Sequence, residues 1–182
     1  MKKGKIIFLN GVTSSGKTTL SKSLQQISNE HFYHLSNDIV AGWVSNMLHD
    51  KLVKEAGDNA WEIYFTEGIV MAYHFAKTLA EQGRNVIIDG MLEETEAFAK
   101  YYKKTNYEIM QSALSSLNVF MVEVYCPLEE CRRRNIARGD RGENQSYEQH
   151  KIMNKTVKHN FSVDTSINSA DECAKKILDN FK

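Results

Sequence analysis

Residues 5–18 read Lys5-Ile-Ile-Phe-Leu-Asn-Gly11-Val-Thr-Ser-Ser-Gly16-Lys17-Thr18, an apolar run of strand length that passes straight into the pattern GxxxxGK[ST]. Each fixed position of that pattern has a chemical reason. Backbone N–H groups must converge on phosphate oxygens, and Gly11 and Gly16 let the chain turn tightly with no Cβ in the way. A helix opening near Lys17 offers unpaired N–H groups and the positive end of its dipole. Lys17 would reach the β and γ phosphates, and the Thr18 hydroxyl suits Mg²⁺, which prefers oxygen ligands. With frequencies of about 0.07 for Gly, about 0.06 for Lys and about 0.12 for Ser or Thr, chance produces the match in well under roughly one chain per hundred. Nucleotide contacts are therefore expected from Gly11, Thr13, Ser14, Ser15, Gly16, Lys17, Thr18 and the adjoining Thr19.

Working outward, apolar runs of strand length alternate with helical patterns, the signature of an α/β domain with a parallel sheet covered on both faces. Strands are predicted at 5–10, 32–35, 85–89, 119–126 and, from thinner signal, 161–164. Helices are predicted at 17–28, 39–52, 60–82, 93–117, 128–138, 147–156 and 170–181. Gly83 has the place of a left-handed C-cap, Pro127 suits a first helical turn, and Ser169 with Glu172 forms a capping box.

The 182 residues suit one domain, with 42% hydrophobic and 25% charged residues. The 23 basic and 23 acidic side chains balance, which leaves no overall electrostatic footprint of a nucleic-acid or membrane binder. Cys126, Cys131 and Cys173 are odd in number and form no CxxC, so buried thiols in a reducing cytoplasm are expected rather than disulfides or zinc. No stretch approaches the roughly 20 apolar residues of a membrane span. A homo-oligomer is compatible with this composition.

Acidic residues close two of the strands. Asp89 follows Val86-Ile-Ile88, where it could bind a magnesium water, orient Thr18, or merely cap a turn with Gly90. Asp38 follows the second strand on the same sheet edge, where it could act as base toward an acceptor hydroxyl, as metal ligand, or as N-cap for a helix begun at Ile39. Five of the six arginines fall between Arg132 and Arg141. On a helix, Arg134, Arg138 and Arg141 would share one face, and Gly139 and Gly142 would let residues 132–146 bend as a lid over the phosphates. The competing reading is a solvated basic face that binds RNA.

Residues 39–82 form the natural acceptor-binding segment. The segment contains no arginine, which argues against a nucleoside monophosphate acceptor, although Lys51, Lys54 and Lys77 keep one open. Trp43, Met47, Trp61, Tyr64, Phe65, Met71, Tyr73 and Phe75 are expected to be mostly core at helical spacing, with a few walling a pocket.

The chain resembles the chloramphenicol phosphotransferase family of P-loop kinases. The resemblance rests on the stretch from Ile7 to Thr18, on Asp38, on Val86-Ile-Ile-Asp89, on Ala137-Arg-Gly-Asp-Arg141 and on Val163-Asp-Thr165, and it spans nearly the whole chain. It implies a three-layer P-loop kinase fold with a five-stranded parallel sheet, ATP as donor, Mg²⁺, and phosphorylation of a primary hydroxyl. It implies Asp38 as the catalytic aspartate, Lys17 and Thr18 as nucleotide and magnesium contacts, and Arg134, Arg138 and Arg141 as lid arginines; Asp38, Lys17, Arg138 and Arg141 are the expected catalytic set, with Arg134 and Arg138 also on the nucleotide. The loop after Asp164 and Thr165 would border adenine. Gly90 stands where the antibiotic kinase has a second acidic residue, and residues 39–82 show little similarity. The expected activity is phosphoryl transfer from ATP to a hydroxyl of a small molecule. The alternatives are a nucleoside or nucleotide kinase and an RNA-associated ATP-binding module.

Overall fold

The computed structural model describes residues 2–47, 57 and 60–181. Five strands, β1 (Ile6–Asn10), β2 (Phe32–Ser36), β3 (Asn85–Gly90), β4 (Val119–Tyr125) and β5 (Phe161–Asp164), form one sheet in the order β2-β3-β1-β4-β5. Every neighbouring pair is parallel. After β1 the chain moves outward to β2 and inserts β3 between them. It then crosses to the other side of β1 for β4 and β5. The order therefore reverses at β1, and such a reversal opens a crevice beyond the carboxyl ends of the strands.

The period-two alternation of a strand sends successive side chains to opposite faces. Ile6 and Phe8 enter one buried cluster with Val86, Ile88 and Met121, whereas Ile7 and Leu9 enter another with Ile87, Val122 and Val163. On the first face lie α2 (Asn37–Met47), α3 (Ala60–Glu81) and α4 (Asn106–Ala113). On the second, α1 (Lys17–Ile27) packs beside the last helix, α7 (Ala170–Asn180). The first cluster is built from Ala41, Ile69, Tyr73, Ala76 and Ile109, the second from Leu20, Leu24, Cys173 and Ile177. The three layers and the five-stranded parallel sheet expected from the sequence are present.

Helix ends follow local chemistry. Arg84 N–H donates to Leu79 O and Gly83 N–H to Ala80 O, the paired bonds of a Schellman stop. Ser169 and Glu172 form the expected capping box. Pro127 precedes α5 (Leu128–Arg138) as its N-cap rather than sitting in its first turn. Cys126, Cys131 and Cys173 are buried free thiols.

Two expected helices are interrupted. Instead of one helix over 93–117, the chain has a π-helical turn at Phe98–Tyr102, a left-handed Lys103, and then α4. Thr105 and Glu108 form a capping box that starts the new helix. This T-x-x-E signature is present in the sequence, and it overrides the helical periodicity that runs across it. Upstream, Glu93 pairs with Met153 in an antiparallel bridge and Glu94 N–H donates to Ile152 O at 2.6 Å. Both residues are thus held extended. The same bridge ends α6 (Gln145–Ile152) before the expected Thr156. The predicted extension of α2 to Leu52 lies outside the described residues, as do the side chains of Trp43, Met47, Lys51, Lys54 and Trp61. Tyr73 is fully buried, but Met71 and Phe75 are exposed rather than core. Among the described residues, no helix is long and apolar enough to cross a membrane.

The α2–α3 contact depends on Gly68, where a Cβ would lie 2.4 Å from Ala41 Cα. Ala is the better helix former by up to about 1 kcal/mol, yet backbone cannot yield as a side chain does. Gly68→Ala is expected to cost about 1–3 kcal/mol net and to lower Tm by roughly 2–10 °C in a melt followed by far-UV circular dichroism.

Candidate active site

At the carboxyl edge of the sheet, the loop from Gly11 to Gly16 joins β1 to α1. Gly16 has φ 98° and Ser14 φ 58°. Alternating these left-handed residues with right-handed ones turns successive N–H groups toward one concavity, where anions bind. Gly16 meets this requirement without strain, whereas Ser14 adopts a conformation uncommon for a residue with a Cβ. Gly11 is required for a different reason: a Cβ there would lie 2.6 Å from Val124 O of the neighbouring strand.

The loop opens into a cleft of about 600 Å³, within the usual size range of small-molecule sites. Thr13, Ser14, Gly16, Lys17, Thr18 and Thr19 line it. Ser15 is fully buried beneath them. The Lys17 ammonium donates to Val12 O at 2.9 Å. Burial lowers its pKa from the ordinary lysine value, against the opposing pull of the Asp89 and Asp38 carboxylates.

Asp89, at 4% exposure, accepts a 2.7 Å hydrogen bond from the Thr18 hydroxyl. His34 Nε2 of β2 stands 3.4 Å from the same carboxylate oxygen. Burial alone would raise this carboxyl. The His34 imidazole, the Lys17 ammonium and the Thr18 hydroxyl outweigh that and hold it below the usual carboxylate range. Asp89 is therefore no solvent-facing turn cap. His34 was not singled out from the sequence, where an isolated histidine in a short strand carries no signal.

Asp38 also lines the cleft. The helix begins at Asn37, so Asp38 sits in its first turn, where a carboxylate is favoured by the helix dipole, rather than capping a helix begun at Ile39. Its side chain is 64% exposed and lies 3.6 Å from Arg141. Behind it, Asn37 is buried against Gly90, where a Cβ would come 2.4 Å from Asn37 Nδ2. An acidic side chain at position 90 would collide with this amide.

Arg134, Arg138 and Arg141 all line the cleft, as does Arg133. The shared helix face does not hold, because α5 stops at Arg138 and the left-handed Gly139 turns the chain before Arg141. The three arginines differ in their main partners, although Arg141 also comes within 4.0 Å of Asp140. Arg134 donates to Ser14 O, Thr165 Oγ1 and Thr165 O, tying the phosphate loop to the turn after β5. Arg138 pairs with Asp140 at 3.0 Å. Arg141 pairs with Asp38, and so reaches the residue expected to act as base.

Two further groups escaped the sequence reading. Gln149 of α6 accepts a hydrogen bond from Thr13 N–H across 136 positions of sequence, a separation no local pattern encodes. Glu93 lies half-buried beyond β3, and burial, reinforced by the Asp38 carboxylate, pushes its carboxyl up to about 7.

The family model described as chloramphenicol phosphotransferase-like protein matches residues 4–182. The chain belongs to the chloramphenicol phosphotransferase-like family. A candidate O-phosphotransferase of Mycobacterium tuberculosis strain H37Rv is 22% identical over 200 residues, spanning all of this chain and 84% of the relative. Among solved structures, an APS kinase from Mycobacterium tuberculosis bound to AMPPNP and APS aligns with TM-score 0.67 and 19% identity, covering 99% of this chain and 98% of that one. Shikimate kinase from Acinetobacter baumannii in complex with shikimate aligns with TM-score 0.62 and 16% identity, covering 97% and 92%. These two likenesses establish the fold, and family membership makes this chloramphenicol phosphotransferase-like chain a phosphotransferase by kinship.

The Glu93 carboxyl carries a pH signature. An unfolded glutamate ionises near its ordinary value while the folded one stays protonated up to about 7, so the unfolded state binds fewer protons and stability falls as pH rises through that window. The loss between about pH 4.5 and 7 should be on the order of 2–3 kcal/mol. Urea denaturation across that range should show Glu93→Gln removing most of this slope and stabilising the protein at pH 8.

Proposed function

We propose that this chain is an ATP-dependent O-phosphotransferase, which moves the γ-phosphoryl group to a hydroxyl of a small molecule. The observation that carries this reading is one cleft lined by both the Lys17 ammonium and the Asp38 carboxylate, the two close enough to attract each other. Lys17 and the loop N–H groups would hold the phosphates. Asp38, exposed and turned toward the same space, would accept the proton of the acceptor hydroxyl as phosphoryl transfer proceeds. Arg141 would orient that carboxylate, and Arg138 lies where it could share the developing charge.

The Thr18 hydroxyl and the Asp89 carboxylate form an oxygen-only pair, which fits Mg²⁺. Among the described residues, no three His, Cys, Asp or Glu side chains form a metal cluster, and Mg²⁺ characteristically completes its shell with phosphate oxygens and water. When bound, the ion would neutralise charge on the β and γ oxygens. Asp38 serves this reading better as base than as ligand, because Asp89 already holds Thr18.

We assign residues 39–82 to acceptor binding and residues 132–146 to a lid, within one domain. The arginine-free segment favours an acceptor without phosphate. Asn37, buried against Gly90, leaves no room there for the second acidic residue of the antibiotic kinase, which supports an acceptor other than that antibiotic. Four arginines lining the cleft speak against a basic face reserved for RNA. Buried free thiols and use of ATP suit a cytoplasmic site of action.

The test is ADP release from ATP and Mg²⁺ with chloramphenicol, then hydroxyl metabolites and nucleosides, as acceptors, against Lys17→Ala as blank. Acceptor-dependent ADP release with a phosphorylated product is expected, and a nucleoside monophosphate as best acceptor would move the assignment to a nucleotide kinase. Asp38→Asn should lower kcat by roughly 100-fold or more while ATP affinity by calorimetry stays within about threefold.

A further inference from the structure

One polar side chain of the cleft, Gln149, lies outside the phosphate-loop motif yet touches that loop. Gln149 Oε1 accepts the Thr13 N–H bond of the phosphate loop. A backbone N–H can donate only to an oxygen here, so the hydrogen bond itself decides which end of the amide faces the loop. The Nε2 amino group is thereby directed away from Thr13. It makes no hydrogen bond to any described residue, and Gln149 lines the same cleft as Lys17, Asp38 and Arg141. Two N–H donors are left for whatever occupies that space.

The position along the phosphate chain can also be read. Lys17 Nζ rests on Val12 O, the carbonyl of the residue before Thr13. Gln149 therefore stands at the end of the cradle where the lysine ammonium lies, toward the β and γ phosphates of a bound triphosphate. The turn after β5, Thr165 with Asn168 and Ser169, borders the cleft as well, and there Arg134 already engages the backbone.

The side chain is carried on a braced helix. At the start of α6, Asn135 Nδ2 of α5 donates to Glu143 O and Ser146 Oγ, both at 3.3 Å, and Arg132 pairs with Glu143 while Tyr147 binds Glu129. At its far end, Glu94 N–H donates to Ile152 O, and Asn154 N–H donates to Leu92 O at 2.8 Å. α6 is thus a strut between the arginine helix and the loop after β3, and Gln149 projects from it onto the phosphate loop. Donors fixed before substrate arrives are those that stabilise developing charge at least cost in reorganisation.

We propose that Gln149 is a γ-phosphoryl contact, donating from Nε2 to the group being transferred while Oε1 holds Thr13. This rests on the phosphotransferase reading. It makes Gln149 a residue that distinguishes the triphosphate donor from the diphosphate product, since only the former carries the oxygen that Nε2 meets.

The test is Gln149→Glu. This variant keeps the shape and an oxygen acceptor for Thr13 but replaces the donor with a negative oxygen. Affinities for Mg²⁺ with a non-hydrolysable ATP analogue and for Mg²⁺ with ADP are measured by calorimetry, alongside a thermal melt. Affinity for the analogue should fall about tenfold or more, the scale of a charge-assisted hydrogen bond turned repulsive. ADP affinity should stay within about twofold, since ADP lacks the contacted group. Equal loss of both nucleotides would mean that Gln149 only shapes the loop, and unchanged affinity for both would mean no contact; either overturns the proposal. If Gln149→Glu does not fold, Gln149→Met removes the donor and the Oε1 acceptor together without adding charge, and should show a smaller loss, about threefold or more, again for the analogue rather than for ADP. Wild-type protein that binds neither nucleotide would remove the phosphotransferase reading itself, a result distinct from a variant that fails to discriminate.

Discussion

A carboxylate shut away from water is costly unless its surroundings supply hydrogen bonds and positive charge, and Asp89 at the end of β3 obtains both from the elements that converge on it. Thr18 donates from the first turn of α1 at 2.7 Å, Lys17 attracts it from the phosphate loop, and His34 approaches from β2 at 3.4 Å. The hydrogen bond from Thr18 therefore fixes the N-terminal end of α1 against the sheet. It also keeps the loop from Gly11 to Gly16 in the conformation where its N–H groups converge. Removing the carboxylate would leave a lysine ammonium short of counter-charge and a hydroxyl short of an acceptor.

The rest of the cleft is assembled around that anchor by long-range ties rather than by one rigid element. Arg134 links the phosphate loop to the turn after β5 through three acceptors. Gln149 links the same loop to α6, and α6 is itself bound to α5 and to the loop after β3. The arginine-rich segment is thus less a free flap than a set of guanidinium groups with assigned partners. Arg141 holds Asp38, Arg138 holds Asp140, and Arg134 holds backbone. A ligand entering the cleft would compete for donors already engaged, which makes exchange of partners the natural way for the segment to respond.

Much of the fold was legible because its signals are local. The strands β1 and β3 are buried on both faces around unbroken apolar runs, β4 is apolar apart from Glu123, and even β5 was marked by Phe161 and Val163. The phosphate loop was legible because its chemistry depends on residues adjacent in sequence. Asp89 and Asp38 could be found because strand ends at one sheet edge share a neighbourhood. What escaped has an equally physical cause. The break between Glu93 and Asn106 follows from a capping box and a long-range bridge that override helical periodicity. The separation of Arg138 from Arg141 follows from the left-handed Gly139.

By itself the sequence determined the nucleotide half: the motif, its junction between strand and helix, and the alternation that builds a parallel sheet, all set by neighbouring residues and side-chain period. Only the tertiary structure decided which groups meet across the cleft. His34 beside Asp89, Arg141 beside Asp38 and Gln149 on Thr13 join residues 55, 103 and 136 positions apart. Such pairings depend on the strand order β2-β3-β1-β4-β5. That order is written in no one segment, because it results from the whole chain burying its apolar faces at once.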